Sequence, residues 1–213
     1  MLEIRYTLLT DGSSDRALIY ILTWLLHEHI PRYGVQGAWA DLRRVPNPPR
    51  SLTDKIRESL DLYPCDLLFI HRDAENHPWE NRINEIKQAF NEAVNGSTAP
   101  PAICVVPVRM TEAWLLFDLN AIKKAAGNPQ GNLPIDLPEL DKLEQISNPK
   151  TILHNALCRA SGLSGRRLNK FNPGKAVHHL PKFIDNFKPL RELSAFKRLE
   201  NDLQEIIHSH QWG

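Results

Sequence analysis

The feature that most constrains the fold of this chain is an alternation of short apolar runs with longer amphipathic segments along its first half. The segments between the runs repeat apolar residues at helical spacing, as residues 13–30 do most clearly. The strand-like runs are residues 3–10, 34–45, 66–71 and 102–108. Because parallel strands need helical crossovers, this order predicts an α/β fold: a mostly parallel, doubly wound sheet with helices on both faces.

The pattern changes after residue 108, where the remaining chain is mainly helical. A Gly, Pro and Asn-rich loop occupies 127–138, and a second loop-like interruption occupies 161–174. We therefore predict two domains, an α/β domain over 1–118 and a helical C-terminal lobe over 119–213 that packs on it.

Charge is distributed unevenly, although the net charge of the 213-residue chain is only +1. Residues 150–198 hold eleven Lys and Arg but two Asp and Glu, whereas the rest of the chain has a net charge of −8. An acidic body suits cations, and a basic lobe suits polyanions such as nucleic acid. A solvated basic face without a partner is the alternative.

Several protein classes are excluded by composition. The longest apolar run, 17–26, is far shorter than the roughly 20 residues of a membrane-spanning helix. Three widely spaced cysteines exclude a disulfide framework and a Cys-x-x-Cys site. The N-terminal residues lack the pattern of a signal peptide. The cysteine usage favours a reducing, cytoplasmic location.

Acidic residues follow two of the predicted strands. Asp11 and Asp15 lie where the first strand turns into a helix, and Asp73 and Glu75 follow the strand that ends at His71. Ligands of open α/β sheets bind at the carboxyl ends of the strands. If the two strands are neighbours, these carboxylates converge, and oxygen ligands of this kind suit one or two Mg²⁺ or Mn²⁺ ions.

Structural roles are the alternative for each acid taken singly. Asp11 and Asp73 are turn formers, and Asp15 favours the positive end of a helix. Glu112, which follows the fourth strand, is either a first-turn helix residue or a further metal ligand. Trp114, two residues later, is more readily explained as a core residue than as a stacking platform.

Together these motifs resemble the Toprim fold, the catalytic domain of topoisomerases, bacterial primases and several small nucleases. The family pattern, an acidic residue and Gly after strand one, an acid in the next helix and an Asp-x-Asp pair after strand three, is similar to residues 10–15 and 73–75. Arg72 before the second motif, and the Glu-Ala-Trp-Leu-Leu-x-Asp sequence at 112–118, resemble the domain-of-unknown-function family 4276.

This resemblance implies a metal-dependent nuclease or phosphodiesterase (a hydrolase), in a defence or mobile-element setting. The metal ligands would be Asp11, Asp15, Asp73, Glu75 and Glu112, with Asp11 and Asp73 catalytic and Asp11 transferring the proton. Asp11 stands where Toprim enzymes usually carry Glu, and Glu75 stands where they carry the second Asp. A noncatalytic module with a degenerate site, binding nucleic acid or a partner such as an ATPase, is the alternative.

The predicted nucleic-acid contacts are basic side chains, since Lys and Arg supply most phosphate contacts. Loop signals flank most of them in the C-terminal lobe. They are Arg72, Arg166, Arg167, Lys170 and Lys175.

Overall fold

The computed structural model describes residues 2–212, which divide into two compact units. The first, here called the sheet unit, runs to Val106 and resumes at Arg198; the second, the helical unit, is Pro107–Lys197. By packing, the division therefore falls at Val106 rather than at residue 118, and most of the last helix belongs to the sheet unit.

The elements follow the predicted order. The strands are β1 (Leu2–Leu9), β2 (Tyr33–Trp39), β3 (Leu67–His71) and β4 (Ala102–Val105). The α-helices are α1 (Leu18–His29), α2 (Leu52–Leu62), α3 (Trp79–Val94), α4 (Leu119–Ala125), α5 (Pro149–Ala160), α6 (Gly165–Lys170), α7 (Pro173–His179) and α8 (Ser194–Ser209). Short 3-10 helices occupy Ser14–Ala17, Leu42–Arg44, Thr111–Leu115, Leu140–Gln145, Leu180–Phe183 and Lys188–Glu192.

The four strands form one parallel sheet in the order β2-β1-β3-β4. The predicted α/β fold with a parallel sheet is confirmed. The chain leaves β1 toward β2 and leaves β3 toward β4, so crossovers from these adjacent strands run in opposite directions. Such a reversal opens a crevice at the carboxyl ends of the two strands.

Helices cover both faces of the sheet. On one face, the Tyr6 hydroxyl donates to the Ile19 carbonyl of α1 at 2.9 Å, and its ring packs edge-to-face on Phe69 with centroids 5.4 Å apart. On the other face, Ile70 of β3 belongs to a buried cluster with Ile56 of α2 and Ile86 of α3. Every residue of β3 is consequently buried, which explains its unbroken apolar sequence.

Local sequence signals set several boundaries. Ser51 caps α2 by accepting a hydrogen bond from the Asp54 amide. The segment predicted as one helix from residue 13 begins instead with the 3-10 turn, and α1 starts at Leu18. The strand predicted over 34–45 ends at Trp39, and a 3-10 helix at Leu42–Arg44 then precedes a proline-rich loop over 46–49.

In the helical unit, Asn148 caps α5 through the Thr151 amide, and Pro149 takes the first helical position. Trp114 is fully buried and packs edge-to-face against Phe196, with ring centroids 5.4 Å apart. It is therefore a core residue of this unit. Among the described residues, every helix is too short or too polar to cross a membrane.

Candidate metal centre

The candidate site lies in the sheet unit, where β1 and β3 end side by side. Leu9 pairs with Ile70 near the ends of these two strands, so the segments that follow them emerge at the same edge of the sheet. Asp15 comes from the turn after β1, and Asp73 follows β3 by two residues. The fold thus brings together the two acidic motifs that are far apart in sequence.

The centre of the site is His71, the last residue of β3. Its side chain is only 1% exposed, and its Nδ1 lies 2.9 Å from the carbonyl oxygen of Val105. Because a carbonyl oxygen only accepts hydrogen bonds, Nδ1 carries the proton. In the neutral imidazole, the lone pair is therefore on Nε2, which faces the two carboxylates.

Two carboxylates surround this nitrogen. The Nε2 atom of His71 lies 3.5 Å from Asp73 Oδ1 and 3.8 Å from Asp15 Oδ2. One ligand atom from each of the three residues lies within 4.8 Å of both others. Asp15, His71 and Asp73 therefore form a largely buried cluster that could bind a metal ion.

The turn after β1 holds Asp15 in place. The Gly12 amide donates to Asp15 Oδ2 at 3.2 Å, and the Ser14 hydroxyl donates to Oδ1 at 3.1 Å. A Cβ atom on Gly12 would lie 2.9 Å from Asp15 Oδ2, closer than such contacts normally are. Glycine at this position is therefore what permits the carboxylate to approach the backbone.

Asp11, a predicted metal ligand, is engaged by two cations. Lys55 Nζ lies 2.7 Å from its Oδ1, and Arg72 Nε lies 2.9 Å from its Oδ2. Burial tends to raise the pKa of Asp11, but the hydrogen bonds and charges of Lys55 and Arg72 outweigh it and lower the pKa below 3.8. Asp11 is thus a carboxylate at neutral pH.

Glu75 is also held by an arginine. Its Oε2 lies 3.3 Å from Arg82 Nη2, and its backbone is left-handed, with φ of 54°. Arg82 and Arg72 both bind Glu85 as well. These pairs form a network of alternating charges. The network contains Asp11 and Glu75, whereas Asp15 belongs to the cluster with His71.

Glu112, the fifth predicted ligand, belongs to the helical unit. It is buried in the 3-10 turn after Met110, and its Oε1 lies 4.0 Å from Lys150 Nζ on α5. The three-residue cluster is formed without it. Its role as a ligand remains a prediction.

The predicted nucleic-acid contacts fall into two groups. Arg72 lies beside Asp73 and pairs with Asp11 and Glu85. The other four are exposed side chains of the helical unit, on a helix with no buried residue (α6) and on the first turn of α7. They are Arg166, Arg167, Lys170 and Lys175.

The donor set could bind a metal ion. With metal–ligand bonds of about 2.1 Å, two donors sharing one ion lie at most about 4.2 Å apart, and both nitrogen–oxygen distances from His71 satisfy this limit. A metal-bound histidine normally donates its second ring N–H to a carboxylate or a backbone carbonyl. The contact between His71 and Val105 is of this kind.

No protein-family model, curated protein or solved structure matches the chain in comparisons with known proteins. The resemblance to Toprim domains and to family 4276 accordingly remains a prediction.

His71 is the residue of this cluster that sequence reasoning missed. The sequence pattern predicts it only as the last residue of an apolar strand. The available signal was its position directly before Arg72 and Asp73, at the carboxyl end of a strand buried on both faces. A histidine placed there is held in the crevice by the strand itself.

Proposed function

We propose that this protein is a metal-dependent phosphodiesterase that acts on nucleic acid. The observation that carries the proposal is the convergence of Asp15, His71 and Asp73 at the carboxyl ends of β1 and β3, where the crossovers reverse. Carboxylates held close together repel each other, and a cation shared between Asp15 and Asp73 would relieve that repulsion.

In this proposal, Asp15, His71 and Asp73 hold the ion, for which the sequence predicts Mg²⁺ or Mn²⁺. Such an ion supplies the polarisation of a phosphate oxygen and lowers the pKa of bound water. The chain orients its own ligands beforehand: Gly12 and Ser14 fix Asp15, and the Val105 carbonyl fixes the ring of His71.

Arg72 supports the proposal as a phosphate contact. Its side chain is 24% exposed, and the residue lies between His71 and Asp73 in the sequence. Asp11 and Glu85 hold its guanidinium, which leaves less side-chain entropy to lose when a phosphate binds. With its lowered pKa, Asp11 serves in this arrangement to position Arg72 and Lys55 rather than to donate a proton.

The experiment is a cleavage assay on purified protein with labelled single- and double-stranded DNA and RNA. Cleavage is expected with Mn²⁺, should stop when EDTA is added, and should return when excess Mn²⁺ is restored. If none of the four substrates is cut with Mn²⁺, Mg²⁺ or Zn²⁺, the phosphodiesterase proposal is rejected.

Basic residues of the helical unit are the proposed contacts with the nucleic acid. Reversing the charge of Arg166 and Arg167 to Glu should weaken binding of an oligonucleotide and make the affinity less dependent on salt. About one unit of the logarithmic salt slope is lost for each phosphate contact removed. Fluorescence anisotropy at several salt concentrations measures both effects.

Because α6 has no buried residue, these two changes should leave the fold intact. The matched control is Arg57→Glu on α2, which reverses another exposed arginine. If the Arg166 and Arg167 variant and the control bind with equal affinity and salt slope, the helical unit is not the contact surface.

One observation favours a second function, a noncatalytic module that binds nucleic acid or a partner protein. Asp11 and Glu75, the other two acids of the motifs, are paired with Lys55, Arg72 and Arg82. Binding of an oligonucleotide without cleavage, in the assay above, would support this second function.

A further inference from the structure

We propose that His71 supplies a nitrogen ligand through Nε2, and that the centre therefore prefers a transition-metal ion such as Mn²⁺ or Zn²⁺ over Mg²⁺. This inference rests on the proposed metal site and specifies its ion. The sequence predicts an oxygen-only set of five carboxylates: Asp11, Asp15, Asp73, Glu75 and Glu112. The structure instead groups Asp15 and Asp73 with an imidazole and engages Asp11 and Glu75 with cations.

The tautomer of His71 is the first step of the argument. Its Nδ1 proton is directed to the Val105 carbonyl at 2.9 Å, on the strand next to β3. The ring is buried, so it has little freedom to turn over and exchange its two nitrogens. In the neutral ring, Nε2 thus presents its lone pair toward Asp15 and Asp73.

The separations are the second step. A charge-assisted hydrogen bond between an imidazolium and a carboxylate is about 2.7–2.9 Å long. The Nε2 atom is 3.5 Å from Asp73 and 3.8 Å from Asp15, and both distances are too long for such bonds. For two donors that share one cation, about 4.2 Å is the upper limit, and both nitrogen–oxygen separations lie within it.

The chemistry of the nitrogen is the third step. Mg²⁺ prefers oxygen ligands and keeps several of its waters, whereas imidazole suits Zn²⁺, Fe²⁺ and other transition ions. Carboxylates accept both classes, so the two aspartates do not discriminate between them. The preference of the centre is therefore decided by His71.

The test measures metal binding without any cleavage. Mn²⁺ is titrated into the metal-free full chain and followed by electron paramagnetic resonance, with Mg²⁺ and Zn²⁺ as competitors. Half-displacement of Mn²⁺ should need a concentration of Mg²⁺ at least about tenfold higher than that of Zn²⁺. A tenfold change is the smallest loss of metal affinity expected when a ligand or its hydrogen-bond partner is lost. Pulsed measurements should detect coupling between Mn²⁺ and a histidine nitrogen.

Two variants sharpen the test. In His71→Gln, an amide oxygen can take the place of Nε2, so the nitrogen coupling should vanish and Mg²⁺ should compete about tenfold better. The matched control is His29→Gln, which changes a partly buried histidine on α1 that pairs with Glu200. It should keep the coupling and the wild-type order of ions.

The outcomes separate this inference from the proposed function. Mn²⁺ bound without nitrogen coupling, or displaced equally well by Mg²⁺ and Zn²⁺, would overturn the role of His71 and leave a metal-dependent enzyme possible. Failure of all three ions to bind would overturn both. The nitrogen coupling of the wild-type protein decides the question even if His71→Gln does not fold.

Discussion

Replacing Asp73 by Ala is expected to abolish metal-dependent cleavage and to weaken Mn²⁺ binding by at least about tenfold. The change removes one of the three donors and leaves Asp15 and His71, too few to hold a divalent ion firmly. Asp73 is partly exposed at the end of β3, so its loss should cost little stability. Calorimetric titration of Mn²⁺ and the cleavage assay measure the two effects.

Asp61→Ala is the matched control, because Asp61 is an exposed aspartate of the same unit near the end of α2. It should retain wild-type affinity and activity. If Asp73→Ala bound Mn²⁺ as tightly as Asp61→Ala does, the assignment of the centre would be wrong. If it bound Mn²⁺ weakly but still cleaved nucleic acid, the metal centre would not be the active site.

Replacing Phe69 by Ala is expected to lower the free energy of unfolding by about 3–5 kcal/mol. Phe69 is fully buried in β3, and its ring packs edge-to-face against Tyr6 on the neighbouring strand. The truncation leaves a cavity between the sheet and α1 that the surrounding side chains fill only in part. Denaturant unfolding followed by circular dichroism measures the loss.

Phe69→Leu is the comparison for this variant. It keeps most of the apolar volume and should cost clearly less than the alanine change. A loss below about 1 kcal/mol for Phe69→Ala would contradict the central position of β3, because such a small effect is typical of surface substitutions.

The strands and their parallel arrangement could be predicted from the sequence because burial on both faces demands continuous apolar runs. Residues 66–71 illustrate this: the five residues Leu67–His71 form β3, and all are buried. Where the pattern was weaker, the ends were less well predicted. The run from Gly34 continues as a strand only to Trp39, because the chain then leaves the sheet and leads to the proline-rich loop at 46–49.

The acidic motifs identified part of the candidate site. Asp15 and Asp73 were predicted to converge on one crevice, and their carboxylates do lie beside the same imidazole nitrogen. Asp11 and Glu75 share these motifs but lie in a network with Lys55, Arg72 and Arg82. No spacing rule distinguishes the two pairs, because their cationic partners come from three places in the fold: Lys55 from α2, Arg72 from the segment after β3, and Arg82 from α3.

The order of apolar and polar residues alone determined the α/β class, the presence of a strand buried on both faces, and the strand ends that the acids follow. The strand order that makes β1 and β3 neighbours came from the tertiary structure. Packing in three dimensions decided which of these acids meet His71 and which meet a cation. The reason is physical: hydrophobic periodicity is a local property of the chain, whereas the charge environment of a carboxylate depends on side chains that folding brings from distant helices and strands.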